Sequence, residues 1–147
     1  MTAIPHPTVP VADDAALAEQ WVGLLADEAP PAQRSLVVRW LRPDGSSAPV
    51  LVPVDGVPSE PDRALLGHLV DLHATVADEE HVPRTDLHLA LYLQRPGAAG
   101  PLPEDHAWAA AAGAVLRVRE RVDCSLHVGD GRTAVPLLPR SSWPAHP

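Results

Sequence analysis

The 147-residue chain contains no lysine, no asparagine and no phenylalanine, and only one cysteine, one methionine and one tyrosine. A single thiol, Cys124, excludes an internal disulfide and any zinc site built from several cysteines; its own reading is a small apolar residue at a strand start. All eleven basic residues are arginine against nineteen acids, and with abundant Ala, Val and Pro this bias points to a GC-rich genome. The net charge of −8 argues against nucleic acid or an acidic membrane as partner, because phosphate contacts need basic surface. No apolar run approaches the ~20 residues of a membrane span, and no signal-peptide core opens the chain. A cytoplasmic protein is expected.

What is present is regular patterning between proline-rich ends. "MTAIPHPTVPV" and "PRSSWPAHP" read as extended, giving an arm over 1–13, one domain over 14–139 and a flexible tail over 140–147. Leu17, Trp21, Leu24 and Leu25 share one face of a helix over 14–28. "SLVVRWL" alternates, and "RPDGSSAP" turns it into "VLVPV", a hairpin over 35–54 whose Pro49 and Pro53 mark an edge or bulged strand. Ser59 is the expected N-cap of the next helix, with Leu65, Leu69, Leu72 and Val76 as its stripe, widened by Leu66 and Val70.

"DLHLALYL" is the sharpest strand. Leu87, Leu89, Leu91 and Leu93 face the core, and Asp86, His88, Ala90 and Tyr92 face the other way, toward solvent or a hydrogen-bonded edge. A helix from about Glu104 buries Trp108, Ala111, Ala112, Val115 and Leu116 and ends in arginines, matching its dipole. "CSLHVGDGRTAVPLL" closes the chain as a hairpin. The order α-β-β-α-β-α-β-β implies an α/β (α+β) domain, a mixed sheet of about five strands packed by about three helices.

Few residues suggest chemistry by themselves. In "GHLVDLH", His68 and Asp71 share a helix face while His73 points elsewhere, so a paired-histidine metal motif is absent and a helix flank is the plainer reading. Ser46, Ser47 and Ser59 suit turns or caps. Trp21, Trp40 and Trp108 fall on core faces, whereas Trp143 stands in a polar tail, as a solvated residue or an anchor for a partner.

Over roughly 33–138, the closing "VDCSLHVGDGRTAVPL" and the loop "RPGAAGPLPED" resemble the JAB/MPN metalloprotease fold, in its RadC-type form. The resemblance implies a site with His-x-His at a strand end, Asp on the first turn of the next helix, an upstream Glu and a nearby Ser. Here the histidine positions map to Leu93 and Arg95, the aspartate to Asp105 or His106, the serine to Pro103 or Leu102, and the glutamate region reads "AQRS". Leucine cannot ligate zinc and a permanent cation repels it. The resemblance therefore implies a non-catalytic JAB/MPN-like module for protein interaction or regulation. It would have no metal or cofactor and an unknown protein partner or a second copy as its ligand, with Asp86, His88, Tyr92 and Trp143 as candidate contacts. The alternative is a hydrolase with an altered site, in which Arg95 holds a carboxylate or phosphate, His106 moves the proton and Asp105 orients it. Convergence in a concave pocket would favour the hydrolase; an ion pair from Arg95 to Glu104 or Asp105 would make the site structural.

Overall fold

The computed structural model describes residues 10–28, 32–96, 101–140 and 143. Its elements follow the expected order: α1 (Asp14–Leu25), β1 (Ser35–Leu41), β2 (Ser47–Asp55), α2 (Arg63–Glu80), β3 (His88–Gln94), α3 (Pro103–Ala112), β4 (Asp123–Gly129) and β5 (Val135–Leu138). The five strands form one mixed sheet in the order β2-β1-β3-β4-β5. Only β3 and β4 are parallel, and α3 is the crossover that joins them. Among the described residues no helix is long and apolar enough to cross a membrane.

The three central strands explain the layering. Every residue of β1 is buried, and so are His88 to Leu93 of β3 and Cys124 to Val128 of β4. Alternate residues of a strand point to opposite faces, so both faces of the sheet must be covered. On one face Leu36, Val38, Trp40, Leu89, Leu91, Leu93, Leu126 and Val128 pack with Leu66, Leu69 and Val76 of α2 and Trp108 and Ala112 of α3. On the other, Val37, Leu41, Ala90 and Tyr92 meet Leu17, Trp21 and Leu25 of α1. The reading of a solvated second face on β3 is thereby corrected. The apolar stripe of α1 needs a surface to bury against, and this face supplies it.

Several local expectations also shift. The N-cap of α2 is Asp62 rather than Ser59; its carboxylate accepts from the Ala64 and Leu65 amides. The inward stripe of α2 is Leu66, Leu69, His73, Val76 and Ala77, which turns Leu72 out to solvent. His73 is therefore a core residue, not a helix flank. Its Nδ1 accepts from Trp40 Nε1 at 3.2 Å and its Nε2 donates to the Arg84 carbonyl at 2.8 Å. Beyond α3 the chain continues as a π-helical turn, Gly113–Arg119, where wider bonds such as Glu120 N to Val115 O replace the α pattern.

Both sheet edges carry proline. β2 holds Pro49 and Pro53 and pairs with β1 through a register shift between Arg39 and Leu41, so it is an edge and also bulged. β5 is four residues long and holds Pro136. Residues 1–9 of the expected arm lie outside the described residues, but Val11 is buried against the first hairpin, its amide donating to the Gly45 carbonyl at 2.9 Å. Gly45 has φ +86°, and a Cβ there would run into the Val11 backbone, so this turn demands glycine.

Candidate functional site

The junction between β3 and α3 is where the sequence places altered chemistry, and Pro96 leads from it into residues 97–100, outside those described. Arg95 and Asp105 are both buried, and the Arg95 Nε donates to Asp105 Oδ2 at 2.9 Å. The same oxygen accepts the Leu102 amide at 2.7 Å, which fastens the first turn of α3. A carboxylate at this position satisfies an otherwise orphaned helix donor and faces the positive end of the dipole. His106, one residue on, is exposed and directed away. Leu93 is a core residue. The structure thus brings together Arg95 and Asp105, as an internal ion pair, and leaves His106 apart. Among the described residues no group of three or more His, Cys, Asp or Glu side chains could hold a metal ion.

A second constellation, missed by the sequence reading, lies on the α1 side of the sheet. Parallel pairing sets His88 beside Asp123, Ala90 beside Ser125 and Tyr92 beside His127. His88 Nδ1 is 2.9 Å from Asp123 Oδ2, and its Nε2 is 2.8 Å from Ser125 Oγ. An ionised carboxylate only accepts, so Nδ1 carries the proton and Nε2 accepts from the serine hydroxyl. Burial pushes the His88 imidazole below its usual value, against the opposing pull of Asp123. Burial works to raise the Asp123 carboxyl, but the His88 hydrogen bond and charge, with Arg140, outweigh it and hold the group below the usual range.

Ser125–His88–Asp123 has the connectivity of a nucleophile, base and orienting acid. It lacks access. Ser125 is fully buried in the middle of a strand paired on both sides, where no carbonyl can approach its Oγ. The arrangement holds a neutral imidazole and satisfies buried polar groups rather than turning over a substrate.

The same face receives the C-terminal segment. Arg140 Nε donates to Asp123 Oδ2 at 2.7 Å, and its guanidinium lies 4.8 Å from the centre of the Trp143 ring. Asp14, the first residue of α1, accepts the Arg140 amide on Oδ1 and the Trp143 indole N–H on Oδ2, each at 3.1 Å. Its carbonyl accepts from His127 Nε2 at 3.3 Å. The Trp143 ring sits 6.0 Å from the His88 ring. Trp143 and Arg140 therefore dock on the domain; the remaining residues of the expected tail lie outside the described ones.

The four candidate contact residues separate accordingly. His88 and Trp143 meet. Tyr92 is buried elsewhere, stacked on Trp21 with centroids 5.4 Å apart, and its hydroxyl donates to the Thr133 carbonyl and accepts the Gly131 amide. Asp86 is exposed on the turn before β3. A signal for this layer existed in the sequence: His88 and Tyr92 in "HLALY" share one parity of their strand, as do Asp123, Ser125 and His127 in "DCSLH", and a parallel register brings the two sets to one face. His68 and Asp71 instead line a surface groove of about 510 Å³ between α2 and the π-helical turn, with Arg63 and Arg119 beside them. No family model, curated protein or solved structure matches the chain.

Proposed function

We propose that this chain is a non-catalytic JAB/MPN-like domain that acts in the cytoplasm as a protein-interaction or regulatory module. The observation that carries the reading is the buried Arg95–Asp105 pair. Two of the three side chains that an altered hydrolase would use are turned toward each other, and one of them fastens a helix start. A carboxylate with one oxygen shared between a guanidinium and a backbone amide has that oxygen committed to holding the fold. The RadC-type resemblance supports a scaffold or regulatory role in the same way, since its ligand positions carry Leu93 and Arg95.

The test is elemental analysis and a peptide and isopeptide cleavage assay on untagged protein, beside Arg95→Ala and His106→Ala. The expected outcome is no stoichiometric zinc and no cleavage in any of the three. About one zinc per chain, or turnover abolished by His106→Ala, would overturn the reading in favour of the altered hydrolase.

A further inference from the structure

We propose that the groove between α2 and the π-helical turn binds a small amphoteric molecule, one that carries a phosphate or carboxylate together with an ammonium group. The inference goes beyond the interaction-module reading, which invokes no small ligand. The groove holds about 510 Å³, within the span of roughly 300–1,000 Å³ typical of small-molecule sites. Val70 and Val115, half-buried against the core, give it an apolar base. Arg63, His68 and Asp71 stand exposed on the α2 wall, and Arg119 and Glu120 on the other. Among the described residues, none of these five side chains forms an ion pair or a hydrogen bond, although acids and arginines line the same space. Arg42, Arg95 and Arg140, by contrast, each meet a carboxylate at 3.0 Å or less.

A second observation is independent of charge. Arg63, Gly67, Val70 and Asp71 recur at helical spacing along the α2 wall, with Gly67 in the middle. Gly67 has no positive φ, and a Cβ there would meet nothing within 4 Å, so neither backbone nor packing calls for glycine. Glycine is unfavourable inside a helix. What its missing side chain keeps open is the centre of the groove. The facing wall is the π-helical turn, a geometry that recurs at functional sites. The chemistry of the walls then selects the ligand. Arginine forks onto phosphate or carboxylate oxygens, and His68 offers an N–H in either tautomer. Asp71, two turns beyond Arg63 and about 12 Å along the axis, can accept from an ammonium group, as can Glu120. The same acids repel a polyanion, which restricts the ligand to mixed charge.

The test is a titration of the isotope-labelled full chain followed by amide correlation spectra. The probes are O-phosphoethanolamine and γ-aminobutyrate, with inorganic phosphate and acetate as the matching anions that lack the ammonium group. One amphoteric probe should shift amides within 63–71 and 115–120 saturably, with a Kd about tenfold or more below that of its matching anion. Which of the two responds distinguishes a phosphate ligand from a carboxylate one. Arg63→Gln and Arg119→Gln should each weaken binding by about tenfold or more, and Asp71→Asn should erase the advantage over the simple anion. All three side chains are exposed and unpaired, so these variants keep the fold. Gly67→Leu should abolish binding by filling the groove without lowering the melting temperature. Three results overturn the proposal: no saturable shift from either amphoteric probe at about 10 mM, shifts that map outside the groove, or affinities unchanged in both arginine variants.

Discussion

Replacing Asp105 with Ala should destabilise the domain by about 4–6 kcal/mol. The carboxylate is fully buried, and its Oδ2 takes both the Arg95 Nε and the Leu102 amide. Breaking a buried ion pair by removing one partner costs about 3–5 kcal/mol, because the other charge stays in the interior without its counter-ion. Loss of a helix-start acceptor adds about 1 kcal/mol. Domains of this size hold roughly 5–15 kcal/mol in total, so the variant should sit at the edge of folding. The double variant Arg95→Met, Asp105→Leu separates charge from packing. Apolar replacements of a buried pair are often close to neutral, so most of the loss should be recovered, leaving about 1 kcal/mol for the missing cap. Urea denaturation followed by tryptophan fluorescence gives both numbers from the shift in midpoint at constant slope. Two results would refute the reasoning: a loss below about 1 kcal/mol in the single variant, or a double variant no more stable than the single one.

His88→Ala should cost about 2–4 kcal/mol in the same assay, since it leaves a cavity and removes a buried partner from both Ser125 and Asp123; a cost under about 1 kcal/mol would mean that this strand face is solvated. Leu89→Asp should abolish cooperative unfolding altogether, because it places an unpaired charge in the fully buried core layer. Burial lowers the imidazoles of His73, His88 and His127 below their ordinary value of 6.5. The unfolded chain then binds protons first, so stability should be complete above about pH 6.5 and fall as pH drops through that value toward the folded-state values; urea midpoints at pH 7.5 and 5.5 that coincide would contradict this. Gly129→Ala should be strongly destabilising, for an added Cβ meets the Thr133 carbonyl and the Tyr92 hydroxyl, and thermal denaturation by circular dichroism reads the loss.

Element order and strand boundaries were legible because they rest on period and punctuation. "DLHLALYL" alternates without interruption, Asp44-Gly45 demands a turn, and Pro49 and Pro53 announce an edge. The burial of His88 and Tyr92 was not legible from β3 alone. A polar residue on a strand looks solvated until its neighbours are known, and Asp123, Ser125 and Thr133 lie far along the chain. His73 was hidden for a similar reason: only the pairing of Trp40 with a helix 33 residues on gives its ring nitrogen a donor. At the β3–α3 junction the residue types gave the Arg95–Asp105 ion pair as one of two outcomes, and distance decided between them. The docking of Trp143 carried no local signal, since recognition there depends on Asp14 at the opposite end of the chain.

The prolines on the two outer strands have a consequence for how this molecule behaves at high concentration. A free strand edge is a template on which another chain's backbone can zip, and the usual defences are charge, brevity or a missing donor. Pro49 and Pro53 are four residues apart on β2 and so interrupt the same row of the edge, while β5 is only four residues long with Pro136 inside it. Any incoming strand would meet pyrrolidine rings where it needs N–H groups. Each outer strand of the five-stranded sheet therefore lacks donors that an incoming strand would pair with, a defence against growth of the sheet at either edge.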